Sequence, residues 1–242
     1  MKRNLASFVV IGLLTGNVAK ADLLSNGNLD ATSVGPQTLA TPTGWSINAT
    51  RRLSGPFADG CSSEGFANAG AAGGFGLFFK PFQGSLSDPL TVSFFQDKPA
   101  APGLTYTFTG MAGAEANYSG LIAGGITKSL FSIDFLNAAN SVIGTASLDL
   151  AAVGLGTANG NPFNYKQFSL SATAPDGTAT IRVGASMVDA YSNPLGGGQA
   201  FVVDEFALVQ VPEPSTLALG VLGLAGLMVW WRVKRRKADA CC

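Results

Sequence analysis

With no histidine anywhere in its 242 residues, this chain must do any acid–base chemistry with carboxylates. Ser-His-Asp and Cys-His catalysis, imidazole metal ligation and a histidine pH switch are excluded together. What remains for an enzyme is a pair of carboxylates, as in glycoside hydrolysis. Asp134, Asp149 and Glu205 are available for it. Nothing in their spacing brings two of them to the roughly 5 to 9.5 Å that glycosidases use, and solvated strand faces account for them equally.

Sugar recognition is the second chemistry within reach, and it needs aromatic faces beside polar groups on a rigid scaffold. Trp45, Tyr118 and Tyr191 are the candidates, the tyrosines because "EANYSG" and "DAYSNP" read as loops. Trp45, next to Gly44 at a strand start, reads equally as core. The pairs Phe78-Phe79 and Phe94-Phe95 carry different information. Adjacent strand residues point to opposite faces, so one member of each pair leaves the main core for a covering loop or a contact surface.

The segments that would position these residues alternate with period two. Leu104, Tyr106 and Phe108 oppose Thr105, Thr107 and Thr109; Phe131, Ile133 and Phe135 oppose Ser132 and Asp134. Ile181, Val183, Ala185 and Met187 alternate with Thr180, Arg182, Gly184 and Ser186, the pattern of a half-buried antiparallel strand. Further strands are expected near Trp45 to Thr50, Phe75 to Phe82, Leu90 to Gln96, Val142 to Leu150, Phe163 to Ser171 and Ala200 to Gln210. Turn signals such as Pro102-Gly103 and Pro175-Asp176-Gly177 separate them. About nine short strands predict an all-β fold, an antiparallel two-sheet sandwich of the jelly-roll kind.

Both ends of the chain read as addresses. Lys2 and Arg3 precede an apolar run from Leu5 to Val18 and then Ala19-Lys20-Ala21, an A-x-A site for signal peptidase. The mature chain is expected to begin at Asp22. At the other end, Leu217 to Trp231 is uncharged, and its fifteen residues would reach only about 22 Å of a bilayer core roughly 30 Å thick. Arg232, Lys234, Arg235, Arg236 and Lys237 place its far end in the cytoplasm, so everything before Pro212 lies outside. This predicts a brief transmembrane helix that tethers the chain to the inner membrane for a time.

Residues 22–210 then form the expected ectodomain, with 1–21 as signal peptide, 211–237 as sorting segment and 238–242 as tail. The ectodomain holds seven Lys and Arg against thirteen Asp and Glu, a formal charge of −6. A mildly acidic surface without a basic patch argues against nucleic acid as a partner. Cys61 is its one cysteine, so no internal disulfide is available on an oxidising export route. In "ADGCSSEGF" it reads as a small residue in a Gly/Ser-rich loop or as an intermolecular bridge.

Val211-Pro212-Glu213-Pro214-Ser215-Thr216, then a short apolar helix and a basic cluster, resembles the PEP-CTERM sorting signal of Gram-negative bacteria that make extracellular polysaccharide. The resemblance implies that an exosortase recognises Pro212, Glu213 and Pro214, cleaves nearby and passes the remainder toward the cell surface or matrix. The extension carrying Cys241 and Cys242 departs from that pattern.

"LLSNGNLD" with "PTGW", "SIDFLNAANSVIG", and "ATAPDGTATIRV" with "FVVDEFAL" resemble galactose-binding-like jelly-roll carbohydrate-binding modules. That resemblance implies a structural calcium held by Asp30 and Asp204, whose carboxylates suit the ion. No cofactor is required by this reading; the calcium is an expectation of the resemblance.

Together these readings predict an exported, noncatalytic surface or matrix protein of a biofilm, bound to extracellular polysaccharide, with signal peptidase and exosortase as processing partners. A structural protein that self-associates through exposed phenylalanines or Cys61, and a carboxylate-based glycosidase, are the alternatives.

Overall fold

The computed structural model describes residues 21–32, 41–70, 72–157 and 163–211. The expected signal peptide, residues 1–21, lies outside the described residues except for Ala21. So do Pro212, Glu213, Pro214, the apolar C-terminal run, the basic cluster, Cys241 and Cys242.

Twelve strands are formed among the described residues: β1 Ser46–Arg51, β2 Gly55–Pro56, β3 Cys61–Glu64, β4 Gly76–Phe79, β5 Leu90–Pro99 and β6 Thr105–Ala114. They continue with β7 Lys128–Leu136, β8 Val142–Asp149, β9 Gly156–Thr157, β10 Lys166–Thr173, β11 Thr180–Ala190 and β12 Phe201–Val211. One sheet has the order β2-β1-β5-β11-β7-β8; the other has β10-β6-β12-β4-β3, with β9 added parallel to β6. The two sheets form the antiparallel sandwich that the alternating pattern predicts.

Each expected strand is present, and the alternation sorts its residues as period two requires. On β5, Val92 and Phe94 are buried while Ser93 and Phe95 lie on the outer face. The three strands not expected are β2, β3 and β9, two of them only two residues long. Cys-Ser-Ser-Glu of β3 lacks apolar alternation and reads as loop, yet all four residues are buried.

Phe206 is the hub of the core. Its ring centroid lies 5.1 Å from Trp45, 5.4 Å from Phe108 and 5.6 Å from Phe131, and Trp45 in turn stacks on Phe94 at 4.4 Å. Such aromatic contacts add to simple burial. A bulge in β12 puts Phe206 there. Phe201 and Val203 point inward, so unbroken alternation would direct residue 205 to the core. Pairing with β6 slips between Asp204 and Ala207, and Glu205 takes φ 50°. The extra residue re-aims the strand, so that Phe206 and Leu208 turn inward.

Gly110 faces the bulge. A Cβ there would come 2.5 Å from Phe206 Cδ1 and 3.1 Å from Phe131 Cε2, so only glycine leaves room for the ring.

The chain's opening segment closes the sandwich. Leu23 N–H donates to the Leu208 carbonyl at 2.8 Å, and the Leu208 N–H donates to Asp22 Oδ1 at 2.9 Å. Phe206 N–H donates to the Gly27 carbonyl, and Trp45 Nε1 to the Asn26 carbonyl. The "SNGNLD" turn therefore lies against the bulge of β12 and beside the tryptophan.

Two substitutions check this core by urea denaturation. Phe206→Ala is expected to cost about 3–5 kcal/mol through the cavity it leaves. Gly110→Ala is expected to cost about 1–3 kcal/mol through overpacking. A neutral Gly110→Ala would contradict the bulge geometry.

Candidate functional site

The outer face of the first sheet carries the polar halves of the alternating strands. Register aligns them in rows across the strands. Arg182 on β11 faces Asp97 on β5 and Asp134 on β7; Gly184 lies between Phe95 and Ser132; Ser186 lies opposite Ser93, which also faces Asn48 on β1. Gly184 has no side chain to fill the centre of this face. It also lets β5 approach, since a Cβ there would collide with the Phe94 carbonyl. The result is a depression of ≈ 190 Å³ lined by Asn48, Ser93, Phe95, Ser132, Asp134, Arg182 and Ser186, with the backbone of Phe94 and Gly184 beneath. That volume is below the roughly 300–1,000 Å³ of pockets for drug-sized ligands, and suits one small ring.

The Arg182 guanidinium lies 4.1 Å above the Phe95 ring centroid. It makes two parallel bonds to Asp97, Nε to Oδ1 at 2.7 Å and Nη2 to Oδ2 at 2.8 Å. Those bonds hold the guanidinium firmly protonated, and the charges of Asp97 and Asp134 add to the effect. Asp134 accepts from Thr145 Oγ1 at 2.7 Å. One cation therefore stands between two carboxylates, and the face offers hydroxyls, an amide and a fixed aromatic plate with no surplus positive charge.

The three aromatic residues nominated as a sugar platform lie elsewhere. Trp45 is in the core against Phe94 and Phe206. Tyr118 is fully buried, stacked on Phe201, with its hydroxyl 2.8 Å from Ser129 Oγ; burial pushes its phenol well above the usual range. Tyr191 is 5% exposed. Their loops are tucked under the end of the sandwich and laced together by Asn117, Asn193 and Ser119, so a loop-like context did not mean an open ring. Their buried rings offer no face to a ligand.

The paired phenylalanines divide as the alternation requires. Phe94 and Phe79 enter the core. Phe78 packs with Phe66, Phe163 and Tyr165 in a second cluster on the outside of the other sheet, the covering-segment outcome. Phe95 lies on the open face, making it the residue of the set that reaches the depression. Cys61 is also buried, and burial raises its thiol to about 12, so the folded domain does not present it for an intermolecular bridge.

The carboxylates considered for hydrolysis do not meet. Asp149 lies opposite Leu130, four positions along β7 from Asp134, a separation of about 13 Å at strand rise. Asp149 is also paired with Lys128 at 3.0 Å. Glu205 is in the other sheet, at the β12 bulge.

Asp30 and Asp204, by contrast, are brought to one loop. Asp204 Oδ2 accepts from Ala69 N–H at 2.7 Å and Oδ1 from Glu205 N–H at 2.7 Å, while Asp30 Oδ1 accepts from Phe75 N–H at 2.9 Å. Asn68 and the glycines of this 68–75 loop lie beside them, and a Cβ on Gly70 or Gly74 would run into Glu205 or Asp30. Burial, with the charges of Glu205 and Asp30 behind it, raises the Asp204 carboxyl to about 7 against the pull of its two N–H bonds. Ion pairs among the described residues use Asp59, Asp97, Asp149 and Asp189, and none reaches this cluster. A buried carboxylate with acidic neighbours and no ion-pair partner among the described residues has the chemistry of a ligand for a hard divalent ion. Among the described residues no group of three His, Cys, Asp or Glu side chains is disposed to hold one, so other ligands would have to be carbonyl or amide oxygens.

Several solved structures are similar to the sandwich. The enzymatically active domain of tailspike protein 4 from bacteriophage CBA120 matches with TM-score 0.51 and 11% identity, over 78% of this chain and 21% of that one. The chain thus spans about a fifth of the length of that domain, and at this identity the likeness is one of fold. A family 16 carbohydrate-binding module matches with TM-score 0.47 and 15% identity, over 78% of this chain and 99% of the module. The CBM22-1 xylan-binding domain from Paenibacillus barcinonensis matches with TM-score 0.43 and 10% identity, over 81% and 97%. No curated protein matches the chain. Residues 210–236 match the PEP-CTERM protein-sorting motif, and the chain carries that signal directly behind a jelly-roll sandwich.

Proposed function

We propose that this is an exported, noncatalytic glycan-binding protein, released to the cell surface or extracellular matrix, whose ligand seats on the outer face of the first sheet. The PEP-CTERM motif implies export by the membrane-associated exosortase route. The observation that carries the binding half is the depression over Gly184, with Phe95 and Arg182 as a plate and Asn48, Ser93, Ser132 and Ser186 around it. Hydroxyl-rich rings are recognised by such a combination of apolar plate and short polar groups. With Arg182 already shared between Asp97 and Asp134, the face favours neutral sugars over uronates, which would meet excess negative charge. Among the described residues Asp134 is the one carboxylate lining the depression, which supports binding rather than two-carboxylate hydrolysis.

A calcium ion held by Asp30 and Asp204 is part of this reading. It would neutralise the buried Asp204 and join the opening segment to the last strand, which Asp22 and Leu23 already connect. Its part is structural.

Affinity electrophoresis of residues 22–211 through gels containing neutral or acidic bacterial polysaccharide tests the binding half. Retardation by a neutral polymer is expected, weakened at least about tenfold by Phe95→Ala or Arg182→Ala. The arginine pair is 34% and 42% exposed, so its loss should alter stability by less than about 1 kcal/mol and leave the fold intact. No retardation by any polymer would overturn the reading.

For the ion, a hundredfold excess of calcium over its Kd should stabilise by about 2.7 kcal/mol, or roughly 5–10 °C in Tm, against the chelated protein. Asp204→Asn should abolish that increment. A Tm indifferent to calcium would remove the ion from the account.

A further inference from the structure

Among the described residues nine large apolar side chains are exposed, and seven of them lie in the loops at one end of the sandwich. Strand direction defines that end. In the first sheet β1 finishes there at Arg51, β5 starts at Leu90, β11 finishes at Ala190 and β7 starts at Lys128; in the second, β4 and β6 finish there and β12 starts. The segment between β4 and β5 joins the two, since the Gln83 carbonyl accepts from Arg51 and the Gly84 carbonyl from Ser192 N–H.

Leu53 is 76% exposed, Leu86 60% and Leu195 82%, and Ile122, Ile126 and Val153 are exposed in the same set of loops. Leu86, Val153 and Leu195 each sit in a turn closed by a backbone bond, at 85–88, 151–154 and 193–196. Turns are built from Gly, Pro, Asn, Asp and Ser, so leucine and valine at their tips do nothing for the turn itself. Apolar side chains gathered on one surface mark a contact site.

The charges at this end cancel. Arg52 pairs with Asp189 at 2.8 Å, Lys128 with Asp149 at 3.0 Å, and Lys80 with Asp59. Arg51 and Lys166 donate to the Gln83 and Gly154 carbonyls, while Asp88 and Glu115 accept from Leu53 and Ala200 N–H. Five cations thus meet five carboxylates, each engaged within the domain. The formal −6 of the ectodomain therefore falls on the rest of the molecule, where two cations stand against eight carboxylates. The ends of the described chain also lie away from the apolar loops: Leu208 N–H donates to Asp22, and Val211 pairs with Thr105 at the start of β6.

We propose that the loop end is an interface for a second copy of this chain, docked end to end about a two-fold axis. Neither the phenylalanine pairs nor Cys61 takes part. Interface cores are rich in apolar side chains and poor in charge, and a two-fold contact uses the same patch on both copies. Two domains of charge −6 repel each other unless they meet where neither is charged. β11, with eleven residues, spans about 36 Å, so the far ends of such a pair lie about 70 Å apart, many times the roughly 8 Å screening length at physiological salt. An anionic lipid surface would call for a basic excess that this end lacks. The depressions over Gly184 stay open on the sheet faces, so the pair is bivalent toward a repeating polymer, a consequence that rests on the glycan-binding reading.

Both sheets and both core clusters fall within residues 22–211, so this domain carries its own core and can be tested alone. Sedimentation velocity up to about 200 μM protein should show a monomer–dimer equilibrium. Leu53→Asp combined with Leu195→Asp, at two exposed positions, is expected to keep the circular dichroism and Tm of the parent and to raise the dimer Kd at least about tenfold. Val142→Asp combined with Ile143→Asp, exposed at the opposite end on β8, should leave the equilibrium unchanged. A domain that stays monomeric throughout would overturn the proposal, as would a dimer lost in the Val142/Ile143 variant and kept in the Leu53/Leu195 variant. A monomer that binds phosphatidylcholine vesicles through Leu53 and Leu195 would also overturn it, assigning this end to a lipid surface. Loss of glycan binding by Phe95→Ala leaves the equilibrium untouched, so the two readings fail separately.

Discussion

The register of β5 against its neighbours is the constraint on which both faces of the molecule depend. Phe94 and Phe95 are adjacent, so one must enter the core and the other must leave it. Inward, Phe94 meets Trp45 and Phe206. Outward, Phe95 lies beneath Arg182. A slip of one residue would exchange the faces, burying Ser93 and Phe95 where the core needs Val92 and Phe94. Among the described residues Cys61 is free and forms no disulfide, so interdigitated aromatic packing is what holds the two sheets together. Tolerance for slippage is therefore low, and the depression over Gly184 inherits its geometry from the core behind it.

The second sheet solves a related problem with a bulge. Asp204 and Glu205 must face the 68–75 loop while Phe206, next in sequence, must face the hub of the core. Plain alternation cannot meet both demands after Val203. The extra residue at Glu205 and the space left by Gly110 reconcile them. The acidic cluster and the aromatic hub are thus two sides of one irregularity, with the opening segment packed against it.

The strands were legible because their burial is one-sided, and period two survives in any sequence that pays attention to one buried face. The same signal flagged the phenylalanine pairs and the polar run Thr180, Arg182, Gly184, Ser186. It did not disclose that Arg182 meets Asp97 and Asp134, because strand partners are set by topology and not by local pattern. β3 was hidden for the opposite reason: its small polar residues are buried on both sides and show no alternation. Tyr118 and Tyr191 were misplaced because turn-forming neighbours report backbone shape, whereas exposure depends on what the loop folds against. Asp30 and Asp204 were reached through family resemblance alone, since the 173 intervening residues carry no local trace of their meeting at one loop.

The most direct measurement is a ¹⁵N-resolved NMR titration of residues 22–211 with a neutral oligosaccharide. The account predicts shifts confined to the outer face of the first sheet, centred on Ser93, Phe95, Ser132, Arg182 and Ser186, with Tyr118 and Tyr191 unmoved. Shifts centred instead on the second sheet or on the loop ends, with Phe95 and Arg182 silent, would contradict it.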